Sequence, residues 1–596
     1  MGLSVKNRVS ARFFPWLKAI ALFLVSMIGL AWLAEKDIFC ENMITYAPAE
    51  IHNYDNTLYS QDIDVLTQSA TKSPRIGSIF IVSSLMNLGL SYESVYLLIH
   101  YITCCVIAFG GVLFVYLSGL SNKLLGILLY TITLGISRIH YFAGYFVFTL
   151  NSIFIGLGSA FGIAAVILMI YKPDIKRINF AYLFVAVAAI CHIHEGIWAF
   201  CLVSFIYIVS SQKLPYNIFL FYLSVAIIMA LTIPSILYNS YHLSTPDFFD
   251  IYVNGRIPHH LLVSNLEGWR GVIYMATIYA SLIWLNREVL KPDEITLYNR
   301  LFILFFVTIF LWYVSSELLH VPALVKLYIA KFVKYLSIPF SLLFVQYIYH
   351  LFVDKKLLAL AIVLCLFADR ELWLLVMIFI HLVFYMPTRN DKCKYIVQTI
   401  MYTMCVMLFV KESHLASLSL KIILSISAFA IAVLPEKKNK WTEIVISLLF
   451  IGCFAAHFFR KTSIKNCVEF YMSKQVGKEI CLYSNSVLQE VPKDALILCN
   501  ATSLSNGYIQ HISRRSMYAL YKTVPSSDLG IKIWHDRIVE TKDFCQWTPE
   551  QTAKFMREKE LKYVTINVEE MANLYGDCSL FAKVAEQGSY ILYKLQ

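Results

Sequence analysis

The chain has 596 residues, 58% of them hydrophobic and only 15% charged, with a mean hydropathy of +0.64. Soluble globular proteins hold closer to ~45–50% apolar and ~25% charged residues, and apolar runs near the ~20 residues that cross a bilayer recur here from end to end, which excludes a string of soluble domains. The net charge of +11 sits in short basic clusters between apolar runs, the pattern of loop anchors on the inner side of a membrane and not of a nucleic-acid footprint.

The opening VKNRVSARFFPWLKAIALFLVSMIGLAWLAEKD has a basic flank and an apolar core of about 19 residues, longer than the core of a cleaved leader, and reads as a retained first span with its amino end inside. A polar outer loop follows at 35–75, then an apolar segment at 76–90 that is short enough to be re-entrant or interfacial. Spans are expected at about 94–118, 124–139, 145–170, 178–192 and 194–210, with a further crossing through LPYNIFLFYLSVAIIMALTIPSIL. A second large outer loop occupies 241–266, and later spans fall at about 267–286, 298–316, 335–353, 357–369, 371–386, 395–410, 416–434 and 441–459. This pairing puts the basic linkers KPDIKR, DKK, RNDKCK and EKKNK inside and predicts a polytopic α-helical membrane domain over 1–459, with about 13 to 15 transmembrane helices.

Near residue 460 the composition turns polar. Residues 460–596 predict a C-terminal α/β domain on the extracytoplasmic side, with strand-like runs at 495–499, 517–522, 563–568 and 589–595. They also hold a helix opening at Thr548, with Gln551 three residues on as a capping box. Cys467, Cys481, Cys499, Cys545 and Cys578 can form one or two disulfides there if the compartment is oxidising. No P-loop or G-x-G-x-x-G is present, which excludes an ATP-driven transporter built on those motifs.

Four polar insertions are expected on one face. The first outer loop, NYDNTLYSQDIDVLTQSATKSPRI, carries Asp55, Asp62 and Asp64 and ends on Arg75. Asp55 and Asp62 share a face if that stretch is helical, whereas Asp62 and Asp64 share one only if it is extended. A carboxylate there is a candidate general base, with Asp55 preferred and Asp62 the alternative, and the two are candidate ligands of a divalent cation, Mg2+ or Mn2+. Arg75 suits a phosphate. In CHIHEGIWAF, His192, His194 and Glu195 lie in apolar surroundings where polar groups are costly unless paired or used. Their spacing is wrong for H-E-x-x-H zinc chemistry, and a hydrogen-bonded cluster that positions substrate or relays a proton fits better. The loop NGRIPHHLL offers Arg256, His259 and His260, and the turn SRIHYFAGY offers Arg138 and His140, all suited to neutralising a phosphate.

This layout resembles the large polytopic glycosyltransferases of the GT-C fold, in which an acidic first outer loop and several spans build the site and an extracytoplasmic domain follows. YDNTLYSQDID at 54–64 occupies the corresponding loop. The chain is also similar to a group of bacterial multi-span membrane proteins with an outer-loop R-x-P-H-H, here Arg256 to His260, a helix start like HIHEG, and a tail like VPKDALILCN followed by ISRRSMYALYK. The resemblance implies a glycosyltransferase of the bacterial inner membrane. It would use a polyprenyl-phosphate-linked sugar at the extracytoplasmic face and pass it to a glycan or lipid acceptor in cell-envelope assembly. A polysaccharide polymerase or ligase, and a transporter of a lipid-linked precursor, are the alternatives.

Overall fold

The structure, a computed structural model, describes residues 17–31, 41–67, 75–136, 153–171, 174–211, 218–237, 241–265, 268–354, 472, 476–525, 527–571 and 578–596. The spans expected between 357 and 459, the division near 460, and Arg138 and His140 lie outside the described residues.

Helices occupy most of the segments expected to cross. They are α1 Leu17–Ala31, α5 Tyr92–Leu117, α6 Lys123–Ile136, α7 Ile153–Ile170, α8 Ile175–Cys191, α9 Ile193–Ser211 and α10 Phe219–Leu237. After the second loop come α11 Gly268–Leu285, α12 Pro292–Tyr313 and α13 Ala330–Asp354. Among the described residues four helices, starting at Tyr92, Ile193, Pro292 and Ala330, are long and apolar enough to cross a membrane. Side chains mark where they start: Ser91 Oγ accepts from the Ser94 amide at α5, and Asp174 from the Arg177 amide at α8, each satisfying a donor that the helix leaves open. One continuous apolar core joins α1 and α5 to α13.

The first loop differs from the expectation. The described part of the loop, residues 41–67, holds two helices, α2 Glu41–Tyr54 and α3 Ile63–Thr67, before α4 Ile76–Asn87. Met43, Ile44, Ala47 and Ile51 recur at helical spacing and are buried against Tyr92, Val95 and Tyr96 of α5. Pro48 stands inside this helix, which masks the signal because proline usually ends one. Asp55 to Asp62 is neither helical nor extended but a run of turns in which Tyr59 takes a left-handed φ of 55°. What holds it is burial of the Tyr59 ring, whose hydroxyl donates to the Gln510 carbonyl at 3.0 Å.

The tail forms a five-stranded mixed sheet in the order β2, β1, β3, β5, β4: β1 Leu496–Leu498, β2 Ser516–Met517, β3 Tyr563–Asn567, β4 Phe581–Gln587 and β5 Tyr590–Leu595. β1 pairs in parallel with β2 and β3, while β5 is antiparallel to β3 and β4. Around it pack α14 Lys478–Glu490, α15 Leu504–Ser513, α16 Asp528–Glu540 and α17 Pro549–Glu558, the last with the expected Thr548–Gln551 capping box. β4 is an edge strand whose alternation is broken by an irregularity between Lys583 and Ala585. The four described tail cysteines, Cys481, Cys499, Cys545 and Cys578, are free thiols.

The tail is seated on one face of the helical body, here the loop face. Arg514 pairs with Glu93 at the start of α5, and His511 Nε2 stands 3.4 Å from the same carboxylate. Burial and the adjacent Arg514 push His511 down to about 4, so the imidazole is neutral near pH 7 and the guanidinium alone balances Glu93. Asp528 on α16 receives Lys326 Nζ at 2.6 Å and the Leu243 amide at 3.1 Å. Arg515 is buried and donates to the carbonyls of Val491, Leu488 and Ser513. Arg514→Met leaves a largely buried carboxylate without its counter-ion, expected to cost about 3–5 kcal/mol. A lower unfolding midpoint of the solubilised protein checks this, and adding Glu93→Gln should restore part of the loss.

Candidate functional site

The α8–α9 junction positions the centre of the loop face. Here α8 ends at Cys191, His192 is extended, and α9 restarts at Ile193. A Cβ on Gly196 would meet Ala189 Cβ at 2.3 Å, so only glycine lets the two helices turn this tightly. Helix α4 lies as close against the same place, since a Cβ on Gly77 would stand 1.8 Å from the Ile190 carbonyl oxygen. That contact sets Arg75, at the N-cap of α4, near the histidines.

Glu195, fully buried, is the anchor. Its Oε2 accepts from Ser159 Oγ of α7 at 2.8 Å, from Lys334 Nζ at 2.9 Å and from the Tyr335 hydroxyl at 2.9 Å, both of α13. Lys334 Nζ also donates to Ser159 Oγ at 2.6 Å. Lys331, one turn earlier on α13, stands 3.9 Å from Oε1. The rings of His192 and His194 lie 5.5 Å apart, and His194 is 5.4 Å from Tyr328, whose hydroxyl bonds that of Tyr252. Arg75 is within electrostatic reach of His192, His194, Lys331, Glu50 and Asp64. It donates to the Thr45 carbonyl at 3.4 Å and lies 4.3 Å over the Tyr46 ring. The N-termini of α4, α9 and α13 converge here, so their backbone dipoles add positive potential to Arg75, Lys331 and Lys334.

Glu50 on α2 completes the wall. It is buried, and its Oε2 accepts from the hydroxyls of Tyr92 at 2.7 Å and Tyr96 at 2.8 Å. Burial raises this carboxyl to about 7 against the pull of the two tyrosines and Arg75.

Of the residues singled out in the sequence, the structure gathers Arg75, His192, His194 and Glu195 into this centre. Asp55 is half-exposed, accepts from the Thr57 hydroxyl at 2.6 Å and faces Lys493 of the tail at 3.6 Å; the Thr57 hydrogen bond and Lys493 hold its carboxyl below the usual range. Asp62 is buried, starts α3 by accepting from the Asp64 amide at 3.0 Å, and receives Gln510 Nε2 at 2.8 Å. Burial and Asp64 push it up to about 7. Arg256 donates to the Lys522 carbonyl at 3.4 Å and stacks 4.7 Å over Tyr521. His259 and His260 fall on the helical turn Pro258–Leu261 of the same face. Among the described residues no group of three or more His, Cys, Asp or Glu is set out to hold a metal ion. The reading of the sequence missed Glu50, Lys331, Lys334 and Tyr335. Two lysines three apart in the apolar IAKFVKYLSIPF were the available signal for the second and third, since charge inside a span is costly unless it is used.

No family model matches the chain, and none of the curated proteins does. Among solved structures it is similar to ArnT from Cupriavidus metallidurans in the apo state, with a TM-score of 0.45, 11% identity and 98% of each chain covered. It is similar to the same protein bound to undecaprenyl phosphate, at 0.45, 12% identity and the same coverage. At so low an identity, chemistry has to be read from the chain's own side chains.

Because the Glu50 carboxyl is raised on folding, its stabilising contribution is full below about pH 4.5 and is lost as the pH rises through about 7. Glu50→Gln removes that loss. The unfolding midpoint of the variant relative to the parent should therefore climb between those values, and a flat difference across the range would contradict the assignment.

Proposed function

We propose that the chain is a membrane glycosyltransferase that takes a sugar from a polyprenyl-phosphate carrier. The observation that carries this is a set of cations, the buried Lys331 and Lys334 at the start of α13 and the partly buried Arg75 at the start of α4, where apolar helices meet a polar loop face. Lysines with 5% and 4% exposure are costly in such surroundings. A ligand with a phosphate head and a hydrocarbon tail matches both halves of the environment.

In this reading the phosphate lies against Arg75 and Lys331 beneath the N-termini of α4 and α13. The acceptor hydroxyl oxygen bonds the anomeric carbon while the bond from that carbon to the phosphate oxygen breaks. The bonding pair leaves with the phosphate, whose developing charge the cations stabilise. The hydroxyl proton passes to Glu50, a carboxyl placed by burial near the working pH of a general base. We assign the base to Glu50 in preference to Asp55 or Asp62, because those two are each engaged with a separate tail side chain. A divalent cation on Asp55 and Asp62 is not needed for this step. Lys334, Ser159 and Tyr335 hold Glu195 and so keep α7, α9 and α13 in register. Arg256 acts by fastening the second loop to the tail, while His259 and His260 are candidates for contact with the donor. We place the reaction at the extracytoplasmic face of a bacterial inner membrane, with 1–459 as the membrane domain and 460–596 as the outer tail, following the basic loops assigned to the inside. The product belongs to cell-envelope glycan assembly.

The same centre also serves a polymerase that uses arginine and histidine without an acid, and Glu50 separates the two. Glu50→Gln should lower transfer from polyprenyl-phosphate-linked sugar by about 100- to 10,000-fold with retention of the lipid intact; undiminished transfer would favour the acid-free reading. Arg75→Ala and Lys331→Ala should each weaken retention of polyprenyl phosphate in proteoliposomes by about ten-fold or more. Unchanged retention in both would remove the basis of the proposal.

A further inference from the structure

In the first loop, NYDN at 53–56 lines an open surface cleft of about 550 Å3 together with Asn87 at the end of α4. The lining is three asparagines, one aspartate and one tyrosine, with no aliphatic side chain. Cavities that take lipid tails or other apolar ligands are lined mostly by hydrophobic groups, so this composition excludes them. Asn56 and Asn87 are exposed, and their amides take no hydrogen-bond partner among the described residues. Asn53 donates Nδ2 to Ser83 Oγ at 2.8 Å, which fixes its side chain and leaves the carbonyl as an acceptor. Tyr54, 44% exposed, presents a ring to the opening. The Asp55 carboxylate is clamped by Thr57 and Lys493.

Amides that both donate and accept, a fixed carboxylate and an accessible aromatic ring suit a ligand with vicinal hydroxyls on one side and C–H groups on the other. That is the chemistry of a neutral saccharide. A phosphate would want cations, and Lys493 at the rim is already paired with Asp55. The position agrees. Tyr46, Glu50 and Asn53 recur along α2 at spacings of four and three, and Tyr54 stands four on from Glu50, so they fall on one side of the helix. Tyr46 meets Arg75 at one end of that face, Glu50 sits midway, and Asn53 and Tyr54 open into the cavity at the other. From Asn53 back to Glu50 the helix rises about 4.5 Å, so a saccharide bound at the far end lies within one helical turn of Glu50.

We infer that the cleft at the carboxyl end of α2, formed by Asn53, Tyr54, Asp55, Asn56 and Asn87, binds a neutral saccharide and is the acceptor subsite; the acceptor role, unlike the binding itself, rests on the glycosyl-transfer reading. Saturation-transfer NMR on the full chain in lipid nanodiscs, with maltotriose, lactose and N,N′-diacetylchitobiose as probes, tests it. At least one probe should bind, Tyr54→Ala and Asn87→Ala should each weaken it by about ten-fold, and Arg75→Ala should leave it unchanged. Absence of saturation for all three probes, or binding that survives the Tyr54→Ala, Asn87→Ala double variant, overturns the cleft. Saccharide binding that survives Arg75→Ala, in a protein that retains no polyprenyl phosphate even before substitution, upholds the cleft and overturns the transfer reading instead, so the two failures are distinguishable.

Discussion

Everything at the loop face depends on keeping Glu195 satisfied inside apolar helices. A carboxylate with no exposure is tolerable only with charge and hydrogen bonds around it, and the donors come from two other helices: Ser159 on α7, Lys334 and Tyr335 on α13. The requirement ties three helices together at one height. It also brings Lys331 to its side, because the two lysines are one turn apart on α13. The structural ion pair and the cationic centre are thus one construction: what stabilises the acid delivers the positive charge.

The same economy appears at the α8–α9 junction. The chain reverses there with His192 as its single extended residue, and glycines at 77 and 196 let α4 and α9 each approach the end of α8 backbone to backbone. Arg75 and the two histidines are neighbours because nothing larger than hydrogen separates those helices. Helix α2 then lies across α5, where Tyr92 and Tyr96 receive Glu50. Its two ends differ in chemistry, with a guanidinium over Tyr46 at one and an amide-lined cavity at the other.

The tail is fastened to this arrangement at widely spaced points. Arg514 on Glu93, Asp528 on Lys326, Gln510 on Asp62 and Lys493 on Asp55 connect it to α5, to the segment between α12 and α13 and to both ends of the 55–62 turn. Acids that looked chemical in the sequence therefore have a mechanical task as well: they seat the tail. Their surroundings differ accordingly, Asp62 being buried under Gln510 while Asp55 stays at the edge of an open cleft.

Much of the helical body was legible in the chain by itself. Apolar runs of near-bilayer length reappear as α5 to α13 because burial of an apolar segment is decided by its own composition. HIHEG announced the centre for a related reason, since adjacent polar groups in such a run must be paired or used. Helix α2 was hidden by Pro48 and by its short apolar stripe, and β4 by the irregularity that breaks its alternation between Lys583 and Ala585. The site itself was decided by tertiary structure. Glu195 meets Lys334 across 139 positions and Glu50 meets Tyr92 across 42, and no local pattern encodes which distant helix will supply a partner. The sequence determined which residues had to be buried or wetted; only the packing of α4, α8, α9 and α13 decided which buried charges would face one another.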